Sequence, residues 1–382
     1  MSSEELIFWA SALLLGYTYV GYPALMWGWA ALCARRPRSR GGEPMVSVLV
    51  PAHNEAGRIQ GKIENLLSLD YPRDRLEILV ASDGSTDGTA RLARAFEQAG
   101  VTVTAFETCR GKPAVLNDLI PKARGEIAVL ADARQRFEPR ALRALVAPFA
   151  DPEVGAVSGE LILTSNPDHT AVGTGVGFYW RYEKFIRSSE SRVDSTVGAT
   201  GAIYAIRREL FEPIPDDTIL DDVLIPMRIV RQGYRALFEP GAQACDRVVS
   251  RAAEEFARKV RTISGNFQLF SRERWLLHPR RNRLWFQTVS HKALRLGSPL
   301  LFLVAFGTNL ALAGGLLYRG MLLAQIVFYM AALCGCALRN SRRRIPLLTV
   351  PYTMCLLNWA TVVGFYRFVT GQQPVTWKKV RT

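Results

Sequence analysis

Three acidic stretches carry the residue types best suited to chemistry. In "VLADARQRFEP" (129–139) an apolar run ends on Asp132 at a loop, where a carboxylate can hold a divalent cation against phosphate oxygens. The customary spacing there is acid, any residue, acid. The third position is instead Arg134, so a single carboxylate has to suffice or the site is of another kind. In "SDGSTDGT" (82–89) Asp83 stands at the tip of an apolar run, where it can accept hydrogen bonds from a heterocycle or a sugar. Asp87 in the same stretch reads as a helix cap beside Gly88. In "TILDDVLIPM" (218–227) Asp221 and Asp222 open a helix. The helix dipole alone favours acids there, yet a carboxylate so placed can also take a proton from a hydroxyl.

Those residues need elements to bring them together, and the surrounding pattern supplies them. Between Glu43 and about Asp246 short valine-rich runs alternate with amphipathic segments: "MVSVLVPA", "LEILVAS", "VTVTAFE" and "EIAVLAD" read as strands. "GRIQGKIENLLSL", "DGTARLARAFEQAG", "KPAVLNDLIPKARG" and "EPRALRALVAPF" read as the helices between them. Apolar strands alternating with helices indicate an α/β fold with a mostly parallel sheet covered on both faces. Ligands in such sheets bind at the carboxyl ends of the strands, which selects the loops "PAHNE", "SDGSTDG" and "ADARQ" and adds Glu55 to the candidates.

The flanks are membrane-like. Leu6 to Ala34 carries no charged residue and is long enough to cross roughly 30 Å of hydrocarbon. Glu4 and Glu5 before it and "RRPRSR" after it favour a retained anchor over a cleaved signal peptide. Three further apolar runs follow: Pro299 to Tyr318, Met321 to Leu338 and Ile345 to Phe365. Positive residues stay on the cytoplasmic side of short loops, so Arg35 to Arg40 places the central region in the cytoplasm and "RNSRRR" (339–344) inside. Two readings stand for the last run: a re-entrant segment, or a third span that leaves the basic "TWKKVRT" outside against the rule. Much of the net charge of +14 lies beside these spans, which suits anionic lipid and phosphate-bearing substrates and calls for no nucleic acid. The six cysteines show no metal-ligand spacing, as fits a reducing compartment.

Taken together, "VSVLVPAHNE", "VASDGSTDGT", "RGKPAVLND", "VLADARQRFEP", "GATGAIYAIRREL" and "LDDVLIPMRIVRQGYRALFEP" resemble the family 2 glycosyltransferases, inverting nucleotide-sugar enzymes of GT-A fold, over roughly Val46 to Gln268. The membrane-flanked layout is similar to the branch containing hyaluronan, chitin-oligosaccharide, cellulose and poly-N-acetylglucosamine synthases. The resemblance implies that Ala52, Glu55 and Asp83 hold the base and ribose of a nucleoside diphosphate, UDP foremost. It further implies that Lys112 meets the diphosphate or orders its loop, and that Asp132 binds Mg2+ or Mn2+. Arg134 either contacts a phosphate oxygen, taking over part of the metal's charge, or faces solvent or Glu138. Asp222 maps to the general base and Asp221 to its support on the acceptor side, while Gly201 (and Gly198) either allow close backbone approach to the acceptor or simply pack a strand turn. The implied organisation is an anchor and basic linker over 1–42, a cytoplasmic GT-A domain over 43–250, amphipathic interfacial helices over 251–297 and a region of two to three spans over 298–382. The implied setting is the inner (plasma) membrane.

One departure bears on the product. Polymer-forming relatives carry glutamine, two residues, arginine and tryptophan after the sheet; this chain has Arg258, Lys259, Val260, Arg261 and Thr262. Arg258 and Arg261 preserve cations for the departing diphosphate, but the tryptophan that stacks under an acceptor sugar is missing, and Trp275 lies too far along. Single transfer to a lipid-linked or membrane-proximal saccharide acceptor is therefore favoured over processive polysaccharide synthesis. A transporter is disfavoured because the spans hold almost no ionisable groups. A catalytically silent nucleotide-binding regulator is disfavoured by retention of Asp83, Asp132, Asp222 and Arg261.

Overall fold

The computed structural model describes residues 1–38, 42–164, 171–247, 252–338 and 346–374. β1 (Val46–Ala52), β2 (Leu76–Asp83), β3 (Val101–Phe106) and β4 (Ile127–Ala131) pair in parallel, with Val46 of β1 facing Leu76 on one side and Ile127 on the other. Every residue of β1 and β4 is buried, as strands covered on both faces require. Alternate side chains serve opposite cores. Val46, Val48 and Val50 pack with Ile59, Ile63 and Leu66 of the helix Ala56–Leu67, while Leu49 and Leu130 pack with Val115 and Leu116 of Lys112–Leu119 and with Leu224 and Met227 of Asp221–Arg231.

The four strands anticipated from sequence thus run parallel, and four more extend the sheet: β5 (Arg136–Phe137), β6 (Val154–Thr164), β7 (Ile203–Arg207) and β8 (Arg235–Arg247). The order is β3-β2-β1-β4-β7-β6-β8-β5. β7 is antiparallel to both β4 and β6, and β5 to β8, so the complete sheet is mixed. The reversal at β4 and β7 pairs Ala131 with Ile203. It therefore sets Asp132, one residue past the end of β4, beside the glycine-containing turn that precedes β7.

Among the described residues, four helices are long and apolar enough to cross a membrane: Ser3–Leu32, Trp285–Ala311, Leu316–Ala337 and Leu347–Val369. The first and second contain π-turns, Tyr17–Gly21 and Thr288–Ala293, which meet through Tyr17 Oη and Ser290 Oγ at 2.7 Å. Leu300, Leu303, Leu317 and Leu323 project from these helices uncovered by protein, as a lipid-facing surface would. The second begins at Trp285, well before the expected Pro299, because Trp285 to Lys292 continues the same helical axis. The helix Ala252–Arg272, anticipated as an amphipathic interfacial helix, is a bracket between the sheet domain and the last span. Its Gly265 sits where a Cβ would come within 2.7 Å of Leu220, and its Phe267 ring lies tilted 5.1 Å from Phe365 and stacks 6.1 Å from Phe368 of the last helix. Both apolar sides of an amphipathic stripe are thus covered by the chain itself. The basic segments "RNSRRR" and "TWKKVRT", and residues 39–41 of the first basic linker, lie outside the described residues.

Candidate active site

Asp222 is a carboxylate of the candidate site with a raised pKa. It lies in the first turn of the helix Asp221–Arg231, and its Oδ2 accepts from the Gly201 backbone N–H at 3.1 Å. A Cβ on Gly201 would stand 2.9 Å from that oxygen, so glycine is required there by the carboxylate itself. Gly198 has φ +90 and a Cβ there would meet Val223 at 3.0 Å, which packs the same turn against the same helix. Burial, with the neighbouring Asp221 charge, pushes the Asp222 carboxyl from the ordinary 3.8 up to about 6, against the opposing pull of Lys112, Lys292 and Arg187. A carboxylate so tuned is mostly ionised at neutral pH yet basic enough to accept a proton.

Asp221 turns the other way. Tyr204 donates its hydroxyl to Asp221 Oδ2 at 3.3 Å, and Lys112 Nζ lies 3.3 Å from the same oxygen. The Lys112 ammonium also donates to Asp132 Oδ1 at 2.9 Å, joining two carboxylates that are distant in sequence. Burial acts to lower the Lys112 pKa, but Asp132 and Asp221 overcome it and hold the ammonium well above its usual range. Burial, then Asp221, likewise keep the Tyr204 phenol protonated well past its ordinary value.

Arg134, partly exposed in the cavity wall, is paired across the sheet and not with Glu138. It ion-pairs with Asp246 of β8, which also accepts from Gln135 at 3.0 Å. Its charge is therefore already matched by the protein, since β5 and β8 lie antiparallel beside it.

Asp83 is fully buried and spends its carboxylate on the following loop. It accepts from Arg110 N–H at 3.0 Å and Gly111 N–H at 2.7 Å. That turn also needs Gly84, at φ +58, where a Cβ would fall 2.3 Å from the Cys109 nitrogen. Ala52 is buried at the end of β1, opposite Ser82. Asp87 caps its turn as expected, accepting from Thr89 N–H at 3.2 Å and Ala56 N–H at 3.1 Å.

A cavity of about 1100 Å3 collects the remaining candidates. Glu55, Lys112, Asp132 and Arg134 line it from the carboxyl edge of the sheet, and Gly201, Asp221 and Asp222 from the turn and helix. Arg258, Arg261 and Thr262 line it from the bracket helix, and Tyr19, Val20, Val350, Met354 and Leu357 from the spans. Asp83 and Ala52 are not among its walls. Among the described residues no group of three or more His, Cys, Asp or Glu could hold a metal. Asp132 alone, already neutralised by Lys112, suits a hexacoordinate cation only when a diphosphate supplies further oxygens.

Residues 47–214 match the model of the family described as Glycosyl transferase family 2. The chain carries a family 2 glycosyl transferase domain. A relative to this domain and its flanks, the beta-monoglucosyldiacylglycerol synthase of Nostoc sp., is 34% identical over 289 residues, covering 70% of this chain and 58% of its own length. The poly-beta-1,6-N-acetyl-D-glucosamine synthase of Staphylococcus epidermidis is 24% identical over 60% of this chain and 56% of its own. The chain thus spans somewhat over half the length of these two relatives. Among solved structures, a mannosyltransferase from Pyrobaculum calidifontis in complex with GDP-Man and Mn2+ superposes with TM-score 0.72 at 24% identity, covering 96% of this chain and 99% of that one. That likeness places the transferase domain and the spans in one shared GT-A architecture.

The sequence reading missed two buried charged groups near the cavity. Lys62 is buried, donates to the Gln135 carbonyl at 2.8 Å and lies 3.8 Å from the Phe137 ring centre; burial pushes it down to about 7, with Asp132 opposing. Its signal was a lysine between Ile59, Ile63 and Leu66 on the buried face of an amphipathic helix. The second is a cluster under the cavity. His291 lies between Glu190 at 2.8 Å and Glu183 at 3.1 Å, Arg295 pairs with Glu183, and Tyr22 donates to Glu190 at 2.6 Å. Burial acts to raise both glutamates, but Arg295 and His291 prevail at Glu183, and His291 prevails at Glu190, so both stay below their ordinary value. Charges at 183, 187 and 190 on one helix, and at 291 and 295 on another, were the available signal.

Proposed function

We propose that the protein is an inverting glycosyltransferase that moves a sugar from a nucleoside diphosphate to a hydroxyl of a membrane-held acceptor. The single observation behind this reading is Asp222: a carboxylate tuned to about 6, in one cavity with Lys112 and Asp132 on one side and span residues on the other. The chemistry is inversion at the anomeric carbon. Asp222 takes the proton of the attacking hydroxyl, Gly201 N–H keeps its carboxylate aimed, and Asp221 with Tyr204 fixes the helix start. Lys112, Arg258 and Arg261 meet the negative charge that develops on the departing diphosphate. Asp132 would hold a divalent Mg2+ or Mn2+, whose chemistry would be to neutralise charge on the diphosphate. Glu55 lies on the donor side of the cavity, while Asp83 acts on the donor through the loop it holds, and Arg134 through Asp246.

The membrane domain plan follows the sequence expectation: an anchor, a catalytic domain on the cytoplasmic face of the inner membrane, and a multi-pass end. Four candidate spans support membrane localisation, and the basic linker beginning at Arg35 supports that side.

Transfer to a lipid is the primary reading because the cavity continues to the spans and Thr262 stands in the stretch where polymer synthases place tryptophan. A processive synthase is the second reading, favoured by similarity to the Staphylococcus epidermidis enzyme. Purified protein given radiolabelled UDP- and GDP-sugars with membrane lipid extract, with and without Mg2+ or Mn2+, separates them by product mass. One added sugar supports single transfer and a ladder supports the polymer. No transfer from any donor sinks both.

A further inference from the structure

Most cations that line the cavity are matched by carboxylates. Lys112 has Asp132 and Asp221, Arg134 has Asp246, Arg258 has Glu255, and Arg295 has Glu183. Among the described residues Arg181, Arg261, Arg187 and Lys292 are not so matched; of these, Arg187 and Lys292 stand on the Asp222 side of the cavity. Among the described residues neither comes within the 4.0 Å ion-pair distance of a carboxylate, although both line the cavity. Arg187 has one hydrogen bond, from its guanidinium to Thr200 Oγ1 at 2.8 Å, and its Nε–H is buried without an acceptor. Thr200 belongs to the turn that holds Asp222. Lys292 lies in the π-turn Thr288–Ala293, a wide helical turn of the kind that often marks a functional site. Both cations act on the Asp222 carboxyl, so they lie close to the base, on elements that lead to the membrane rather than to the nucleotide loops.

Half-buried charges without counter-ions are costly unless a ligand neutralises them. Beyond these two the cavity walls turn apolar, with Val20, Leu296, Val350 and Leu357 coming from three spans. An anion, a reactive hydroxyl and a hydrocarbon chain are what this succession of walls would complement.

The geometry points to a phosphate-bearing membrane lipid as the acceptor, with its phosphate between Arg187 and Lys292, its hydroxyl at Asp222 and its chain along the spans. This rests on the reading of Asp222 as base. Basic pockets between membrane helices on the cytoplasmic side commonly bind lipid phosphates. In the step itself the hydroxyl oxygen forms the new bond to the anomeric carbon as the bond from that carbon to the diphosphate breaks. The bonding pair leaves with the diphosphate, and the hydroxyl proton passes to Asp222.

Binding to the full chain in dodecyl maltoside tests this with short-chain phosphatidylglycerol, the matching phosphate-free diacylglycerol and inorganic phosphate, beside UDP and GDP as controls. Wild type is expected to bind phosphatidylglycerol about tenfold or more tighter than diacylglycerol, the scale of a charge-assisted contact. Lys292→Gln should lose roughly tenfold for phosphatidylglycerol, Lys292→Arg should keep most of it, and nucleotide affinity should stay the same in both. Equal affinity of wild type for the two lipids overturns the proposal without any variant. Inorganic phosphate binding as tightly as the lipid overturns the lipid assignment. Loss of nucleotide binding in wild type would instead remove the donor-site reading beneath it, which the lipid arms do not report.

Discussion

Replacing Asp222 with asparagine separates catalysis from folding because the two should move in opposite directions. Asparagine keeps the shape, and its carbonyl oxygen can still accept from Gly201 N–H, which now reaches Asp222 Oδ2 at 3.1 Å. It cannot take a proton. Loss of a general base costs about a hundredfold to ten-thousandfold in kcat, with donor affinity unchanged. The stability effect follows from the carboxyl being raised from 3.8 to about 6. The folded state then binds the proton more tightly than the unfolded state, so the ionised form costs stability above the folded value and the cost fades as pH falls toward the unfolded value. Two pKa units correspond to roughly 3 kcal/mol at most, and shared coupling with Asp221 and Lys112 reduces that to about 1–2 kcal/mol. Asp222→Asn should therefore melt a few degrees higher than wild type near pH 8, and the two should converge near pH 4. Wild-type kcat/KM should fall about tenfold per pH unit below about 6, because only the ionised carboxylate serves as base. Product formation from labelled donor and thermal melts in detergent read both quantities. Unaltered turnover in Asp222→Asn, or a flat rate between about pH 5 and 7, would refute the assignment of the base.

Gly201→Ala places a methyl 2.9 Å from Asp222 Oδ2, so kcat should drop about tenfold or more while nucleotide affinity measured by calorimetry holds. Asp83→Ala leaves the Arg110 and Gly111 amides without their acceptor and should cost about 2–4 kcal/mol; a melting temperature within a degree of wild type would contradict the structural role given to it. Lys112→Met leaves Asp132 and Asp221 facing each other without their shared cation and should weaken UDP or GDP binding about tenfold while lowering the melting temperature. Calorimetric titration with MnCl2 should show no binding to the protein alone and clear binding once UDP or GDP is present; strong binding without nucleotide would contradict a one-carboxylate metal site.

Those parts of the molecule whose signal is local are legible in the residue pattern. Apolar runs such as Val46–Ala52 and Ile127–Ala131 read as strands buried on both faces, and uncharged runs of membrane length as candidate spans, because period and hydropathy act over neighbouring residues. The pattern also singled out Asp132, Asp221 and Asp222, since strand tips and helix starts are legible from it. What each carboxylate does was decided by tertiary structure. Asp83 and Asp132 end similar strands, yet one is consumed by backbone amides and the other opens on the cavity, a difference set by the loop that folds over Asp83. Arg134 found Asp246, and Lys112 joined Asp132 to Asp221, across separations of about a hundred residues that no local pattern encodes. The pairing of Ala131 with Ile203 is the physical reason. An antiparallel strand inserted at β7 carries the Gly201 turn, and with it Asp222, to the end of β4, and only the closed sheet fixes that neighbourhood.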